Sequence, residues 1–172
     1  MDNTFPTIKT DRLLLRQIMD ADLENIFRGL SNPKVIQYYG ISFDSLEATK
    51  EQMIWFADQK QMWWAICSLD TQIFYGAGGL NDIDQKESKA EIGLWLIPKF
   101  WGKGIMKEAL PLITDYGLKQ LQLKRIEGFV ESENTNCKKV MSKLDFQHEK
   151  TLKNFEIKNG KPINVDVYAK TK

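Results

Sequence analysis

Residues Glu91 to Ala109 read EIGLWLIPKFWGKGIMKEA: an apolar run, a Gly102-Lys103-Gly104 turn and the opening of an amphipathic segment. A strand that passes through Gly-X-Gly into a helix offers backbone N–H groups and the positive end of the helix dipole to an anion. Side chains at Gly102 and Gly104 would block close approach of a ligand to the backbone, and Lys103 adds positive charge beside the turn. The chemistry implied is the holding of a phosphate-bearing ligand. A nucleoside triphosphate is the poorer candidate, because the GxxxxGK[ST] loop is nowhere in the chain. At the start of the same stretch Glu91 stands near Ile92 and Trp95; burial there would push its carboxyl upward, whereas a place at the wet end of the strand would not. The single histidine, His148, and the two cysteines, Cys67 and Cys137, lack metal-ligand spacing. A metal site is therefore not expected, a serine–histidine triad has little support, and His148 reads as a surface or structural residue.

These residues must be positioned by one domain. A chain of 172 residues with 42% apolar and 27% charged content suits a single globular unit over 1–172. The 24 basic residues against 23 acidic ones give no global field that would recruit nucleic acid or an acidic membrane. No run reaches the length of a membrane span and the N-terminus lacks a signal-peptide core, so a cytoplasmic protein with reduced thiols is expected. Leu13 to Ile18 reads as a strand. Leu23, Ile26, Phe27 and Leu30 have helical spacing, and Asn32-Pro33 closes that helix. Asp44 and Glu47 form a capping-box-like pair ahead of a second helix over about 45–60. Trp63 to Leu69 and Ile73 to Leu80 read as a hairpin, Asn81 to Ser88 as a polar turn, and Ala90 to Ile97 as a further strand. The helix after the glycine turn runs to about Gln120, with a bend expected at Pro111. Arg125 to Glu131 is a strand, and Asn134 caps a helix whose apolar face is Cys137, Val140, Met141 and Leu144. Two last strands, Phe146 to Asn154 and Ile163 to Ala169, meet at Asn159-Gly160.

This order, β-α-α-β-β-β-α-β-α-β-β, together with the glycine turn, resembles the GNAT-type N-acetyltransferases, and within them the ribosomal-protein alanine/serine (RimJ/RimL-type) branch. The resemblance runs through TDRLLLR at 10–16, SNPKVIQYY at 31–39, the block at 91–109, NTNCKKVMSKLDF at 134–146, and NG followed by VDVYA at 159–169. It implies an α/β (α+β) acyl-CoA N-acyltransferase fold, a mixed and mostly antiparallel sheet flanked by helices. It also implies acetyl-CoA as co-substrate, an amine acceptor such as a protein N-terminus or a small amine, and a homodimer. Trp95, Leu96 and Ile97 would then meet the pantetheine arm, with a backbone N–H near Leu96 as oxyanion donor. Lys99, Trp101, Gly102, Lys103, Gly104, Ile105 and Met106 would wrap the pyrophosphate, although Lys99 replaces the usual Gln or Arg. Asn134 would lie against the pantetheine, while Lys138 would either meet the phosphates or belong to a solvated helix face.

For the proton roles the resemblance offers Cys137, which stands where the branch has a serine acid, and Glu156, aligned with a proposed base acting through water. Glu91 is on the strand that other members use for a base, and Glu156 ranks ahead of it. Cys137 could equally be a small buried apolar residue. Tyr38, Tyr39 and Tyr168 are placed along the acceptor groove, and Asp145 occupies a position that favours left-handed φ. The rival reading is a non-catalytic acyl-CoA-binding or sensing module that kept the cradle and lost the chemistry.

Overall fold

A computed structural model describes residues 5–172. The strands β1 (Ile8–Lys9) and β2 (Leu13–Gln17) are followed by helices α1 (Leu23–Leu30), α2 (Pro33–Ile36) and α3 (Leu46–Phe56). Then come β3 (Met62–Ser68), β4 (Phe74–Asp84), β5 (Lys89–Leu96), α4 (Ile105–Asp115), β6 (Arg125–Glu131), α5 (Thr135–Lys143), β7 (Gln147–Lys158) and β8 (Lys161–Thr171). The eight strands form one sheet in the order β1-β2-β3-β4-β5-β6-β8-β7. Every pairing is antiparallel except β5 with β6, so the sheet is mixed with a single parallel seam. No helix among the described residues is long and apolar enough to cross a membrane.

Strand formation follows burial. β3 reads MWWAICS and is buried along almost its whole length, as expected of a run covered on both faces. Trp64 is fully buried and its indole N–H donates to the Pro6 carbonyl, while Trp63 is buried on the other face and donates to Asn81. Several elements differ from the sequence-based expectation. Asn32-Pro33 follows the end of α1 at Leu30, as expected, and also starts a further helix: the Asn32 side chain accepts from the Lys34 N–H and Pro33 occupies the first helical position, where its missing N–H is harmless. The cap of α3 is Ser45, which accepts from the Ala48 N–H, not Asp44. β4 runs on to Asp84, through half of the expected polar turn. Pro111 is carried inside α4, and the helix widens into a π turn over Tyr116–Gln120. Asp145 does take positive φ, at 62°.

The parallel seam positions the site. β5 and β6 are in register only at Lys89–Arg125, Ala90–Ile126 and Glu91–Glu127. β5 then continues to Leu96 paired only with β4, and β6 to Glu131 paired only with β8, so the two strands part and the sheet opens into a cleft beyond Glu91.

Candidate active site

The cleft is a cavity of about 940 Å³ whose walls include Glu91, Ile92, Gly93, Leu94 and Trp95 from β5 and Gly128 to Glu131 from β6. Backbone groups supply its polar edge. The Ile97 N–H donates to the Tyr75 carbonyl at 2.8 Å, which ties that residue to β4. Strand alternation then turns the N–H groups of Leu96 and Leu94 away from β4 and toward the gap. The Leu96 carbonyl, on the same side, accepts from the Trp101 indole at 2.8 Å. An unpaired strand edge beside a deep cleft suits a ligand arm carrying amides of its own. The Leu96 N–H thus faces the gap, whereas the Ile97 N–H is spent in the sheet and its side chain is buried. Trp95 borders the cavity and is almost wholly buried, its ring lying against the Gly29 backbone of α1.

At the end of β5 a 3₁₀ turn over Pro98–Phe100 leads into the glycine turn. Gly102 and Gly104 both have left-handed φ, +75° and +74°, and Gly104 is the N-cap of α4. A side chain at either position would be strained, and nothing lies within 4 Å of where a Gly102 Cβ would be, so the turn stays open to a ligand. Lys99 and Lys103 extend across the Phe100 ring, at 4.9 and 5.4 Å from its centroid. Ile105 anchors the helix in the core and Met106 lines the cavity. Arg12 braces the turn from β2's leading edge, donating to the Lys103 carbonyl at 3.0 Å and pairing with Glu108 at 2.6 Å.

Asn134 and Cys137 reach the cavity from the far wall. The Asn134 side chain accepts from the Cys137 N–H at 3.1 Å, so one cap fixes both residues. Burial pushes the Cys137 thiol up to about 11, which keeps it protonated at neutral pH. Glu91 lines the cavity, and burial, then the charges of Asp82, Glu127 and Glu156, raise its carboxyl to about 7. The Tyr39 phenol is pushed upward as well, by burial and by Glu91. Tyr38 and Tyr39 both line the cavity, as expected of an acceptor wall.

Three residues fall elsewhere. Glu156 is exposed on β7 opposite Ile163 and does not line the cavity, whereas Glu91 does. Tyr168 is buried in the sheet opposite Gly128 and packs edge-on against His148 at 5.3 Å, away from the groove. Lys138, one-third exposed, is held by the protein: its ammonium pairs with buried Asp166 at 2.7 Å and donates to the Ser132 carbonyl at 3.1 Å. His148 has a partner after all, Asp166 at 3.5 Å. Sequence reasoning assigned no role to Arg12 or Lys158. Lys158 leaves the β7–β8 hairpin to pair with Glu131 and to donate to the Gln37 carbonyl at 2.7 Å. Arg12 lay within the TDRLLLR segment, whose pattern was a signal; a lysine in a polar hairpin offered none.

A strand edge parted from its neighbour, a left-handed glycine turn at a helix start and a facing Asn-capped helix define a fold built to hold an acyl carrier. The Acetyltransferase (GNAT) domain family matches residues 12–147, and the chain belongs to that family. It is 35% identical over 170 residues to the uncharacterised N-acetyltransferase YoaA of Bacillus subtilis, covering 96% of each chain. Its fold is similar to spermidine N-acetyltransferase from Vibrio cholerae in complex with CoA and spermine, with TM-score 0.87, 21% identity, and 94% and 96% of the two chains covered. It is also similar to ribosomal-protein-S5-alanine acetyltransferase from Vibrio fischeri, with TM-score 0.83, 17% identity, and 96% of each chain covered. The chain is an N-acetyltransferase, and GNAT acetyltransferases use acetyl-CoA. The described residues contain no cluster able to hold a metal ion.

Proposed function

We propose that the chain transfers acetyl from acetyl-CoA to an amine, a protein N-terminal α-amine or a small-molecule amine, by direct attack in the cleft between β5 and β6. The same reading makes it a cytoplasmic enzyme and a homodimer. The observation that carries the proposal is Glu91, a carboxylate in the cleft wall held near neutral by burial and like charge. When bound, acetyl-CoA supplies an activated thioester acyl group. The Leu94 N–H and the Asn134 side chain would hold its pantetheine arm. The turn from Gly102 to Met106 would take its phosphates, with Lys99 and Lys103 contributing positive charge.

A reacting amine must shed its proton. A carboxylate with pKa about 7 is a far better acceptor for it than one near 4, and a protein α-amine at about 8 is the easier substrate than a lysine at about 10.4. The Leu96 N–H would steady negative charge on the acyl oxygen. Cys137, protonated at neutral pH, is a proton source beside the same cleft. The test is thiol release from acetyl-CoA with amines as acceptors, alongside calorimetric CoA binding. The expected result is amine-dependent release that Glu91→Gln lowers at least about tenfold while CoA affinity holds. CoA binding with no amine-dependent release would favour the sensing module.

A further inference from the structure

The two ends of the cleft differ in charge. Around the glycine turn stand Lys99, Lys103 and Arg12. The residues lining the cavity include Glu51, Glu91 and Glu131 and no lysine, arginine or histidine. The chain as a whole is nearly neutral, at +1, so this separation is a matter of arrangement and not of composition. Glu131 is answered by Lys158. Glu51 and Glu91 have no ion-pair partner among the described residues, and Glu51 lies exposed on α3 while still bordering the cavity.

Beside Glu51 on the same helix, Trp55 and Phe56 pack with Trp63 at centroid separations of 5.4 to 5.8 Å, and all three rings border the cavity. Ring faces next to an unpaired carboxylate attract organic cations. A wall of one sign between low-dielectric surfaces also concentrates ligands of the opposite sign. An acidic acceptor would meet only repulsion here. A monoamine would use Glu91 and leave Glu51 without a counter-charge.

We infer that the acceptor carries a second positive charge besides the amine that is acetylated, and that Glu51 with the neighbouring aromatic rings receives it. The inference rests on the acetyl-transfer reading and narrows its acceptor to amines with two cationic centres. A second cation also lowers the affinity of the reacting amine for its proton, which eases the step assigned to Glu91. Two sources share this chemistry, a small diamine and a protein N-terminus followed by a basic residue.

Thiol release is measured on the full chain with putrescine, with n-butylamine of the same length, and with two tripeptide amides that differ only in Lys or Glu at the second position. Each doubly charged acceptor is expected to exceed its partner in kcat/KM by about tenfold or more at low salt. The gap should shrink as ionic strength rises toward about 0.3 M. Glu51→Lys should cut the putrescine-to-butylamine ratio by about fivefold or more, with circular dichroism and CoA affinity showing that the variant is folded. Faster turnover of putrescine than of the Lys peptide assigns the second charge to a small diamine; the reverse order assigns it to a protein segment. Equal rates for acceptors with two cationic centres and their partners with one would overturn the inference and leave acetyl transfer standing. If no amine releases thiol although CoA binds, the acetyl-transfer reading falls and the inference with it.

Discussion

Glu91 links chemistry to stability through one proton. Its folded pKa of about 7 lies above the value near 4.3 of an unfolded glutamate, so the native state holds the proton more tightly. The native state is therefore penalised as pH rises from about 4 to about 7, and the penalty is constant above that range. Glu91→Gln should accordingly stabilise the protein at pH 8 by about 2 kcal/mol and leave it unchanged near pH 4, as read by urea unfolding. The same substitution should remove a limb near pH 7 from the pH–rate profile of thiol release. Stabilisation at pH 8 without loss of that limb would separate the buried charge from the catalytic proton. Sequence reasoning ranked Glu156 ahead of Glu91, whereas it is Glu91 that lines the cavity. Their difference depends on β5 parting from β6 just beyond Glu91, and no local residue pattern encodes that.

Features built from neighbours in the chain were legible at the level of elements. The β3–β4 and β7–β8 hairpins, the glycine turn and the Asn134 cap each depend on a few consecutive residues. The Asn32-Pro33 pair was read only as the stop of α1, and its second role as the start of α2 was missed because the same dipeptide suits either. Gly104 makes the glycine turn testable. Its φ of +74° belongs to the left-handed region, so Gly104→Ala should destabilise by about 1 kcal/mol and weaken CoA binding measurably. Gly104→Glu adds bulk and negative charge where phosphates are expected, and should abolish CoA binding in calorimetry; unchanged affinity would take the turn out of the site.

A second element-scale device, Asp166 on β8, lay beyond sequence reasoning because its partners Ser132, Lys138, His148 and Thr151 come from β7, α5 and the segment before α5. Burial opposes its charge, yet hydrogen bonds from Lys138, Thr151 and Ser132 outweigh burial and hold it at about 2. A depressed carboxyl stabilises the fold above its unfolded pKa near 4 and loses that contribution as pH falls through 2. Asp166→Asn should therefore cost about 2 kcal/mol at pH 7 and much less at pH 2, a difference that urea unfolding at the two pH values would detect. Because Lys138 lies one residue after Cys137, the variant should also slow acetyl transfer by loosening the far wall of the cleft.

Across the whole molecule, the β1–β5 half and the β6–β8 half share only three register pairs before they part. A cleft made this way needs a second tie, or its width would vary with every motion of the sheet. Lys158 supplies one. From the hairpin of the second half it pairs with Glu131 and donates to the Gln37 and Tyr39 carbonyls of the first, so a single ammonium holds the loop that carries Tyr38 and Tyr39 against β6. The contact spans 121 residues of chain between Gln37 and Lys158, which is why spacing gave no hint of it. Lys158→Met should free that loop and leave the Glu131 charge unanswered in the cavity wall. With acetyl-CoA saturating, the expected outcome is a rise in acceptor KM of about tenfold with CoA affinity within about twofold of the parent. Adding Glu131→Gln should recover part of the loss, because the neutral amide no longer needs the partner that was removed. An equal fall in CoA affinity would instead mean that the lysine holds the whole sheet together and not the acceptor wall alone.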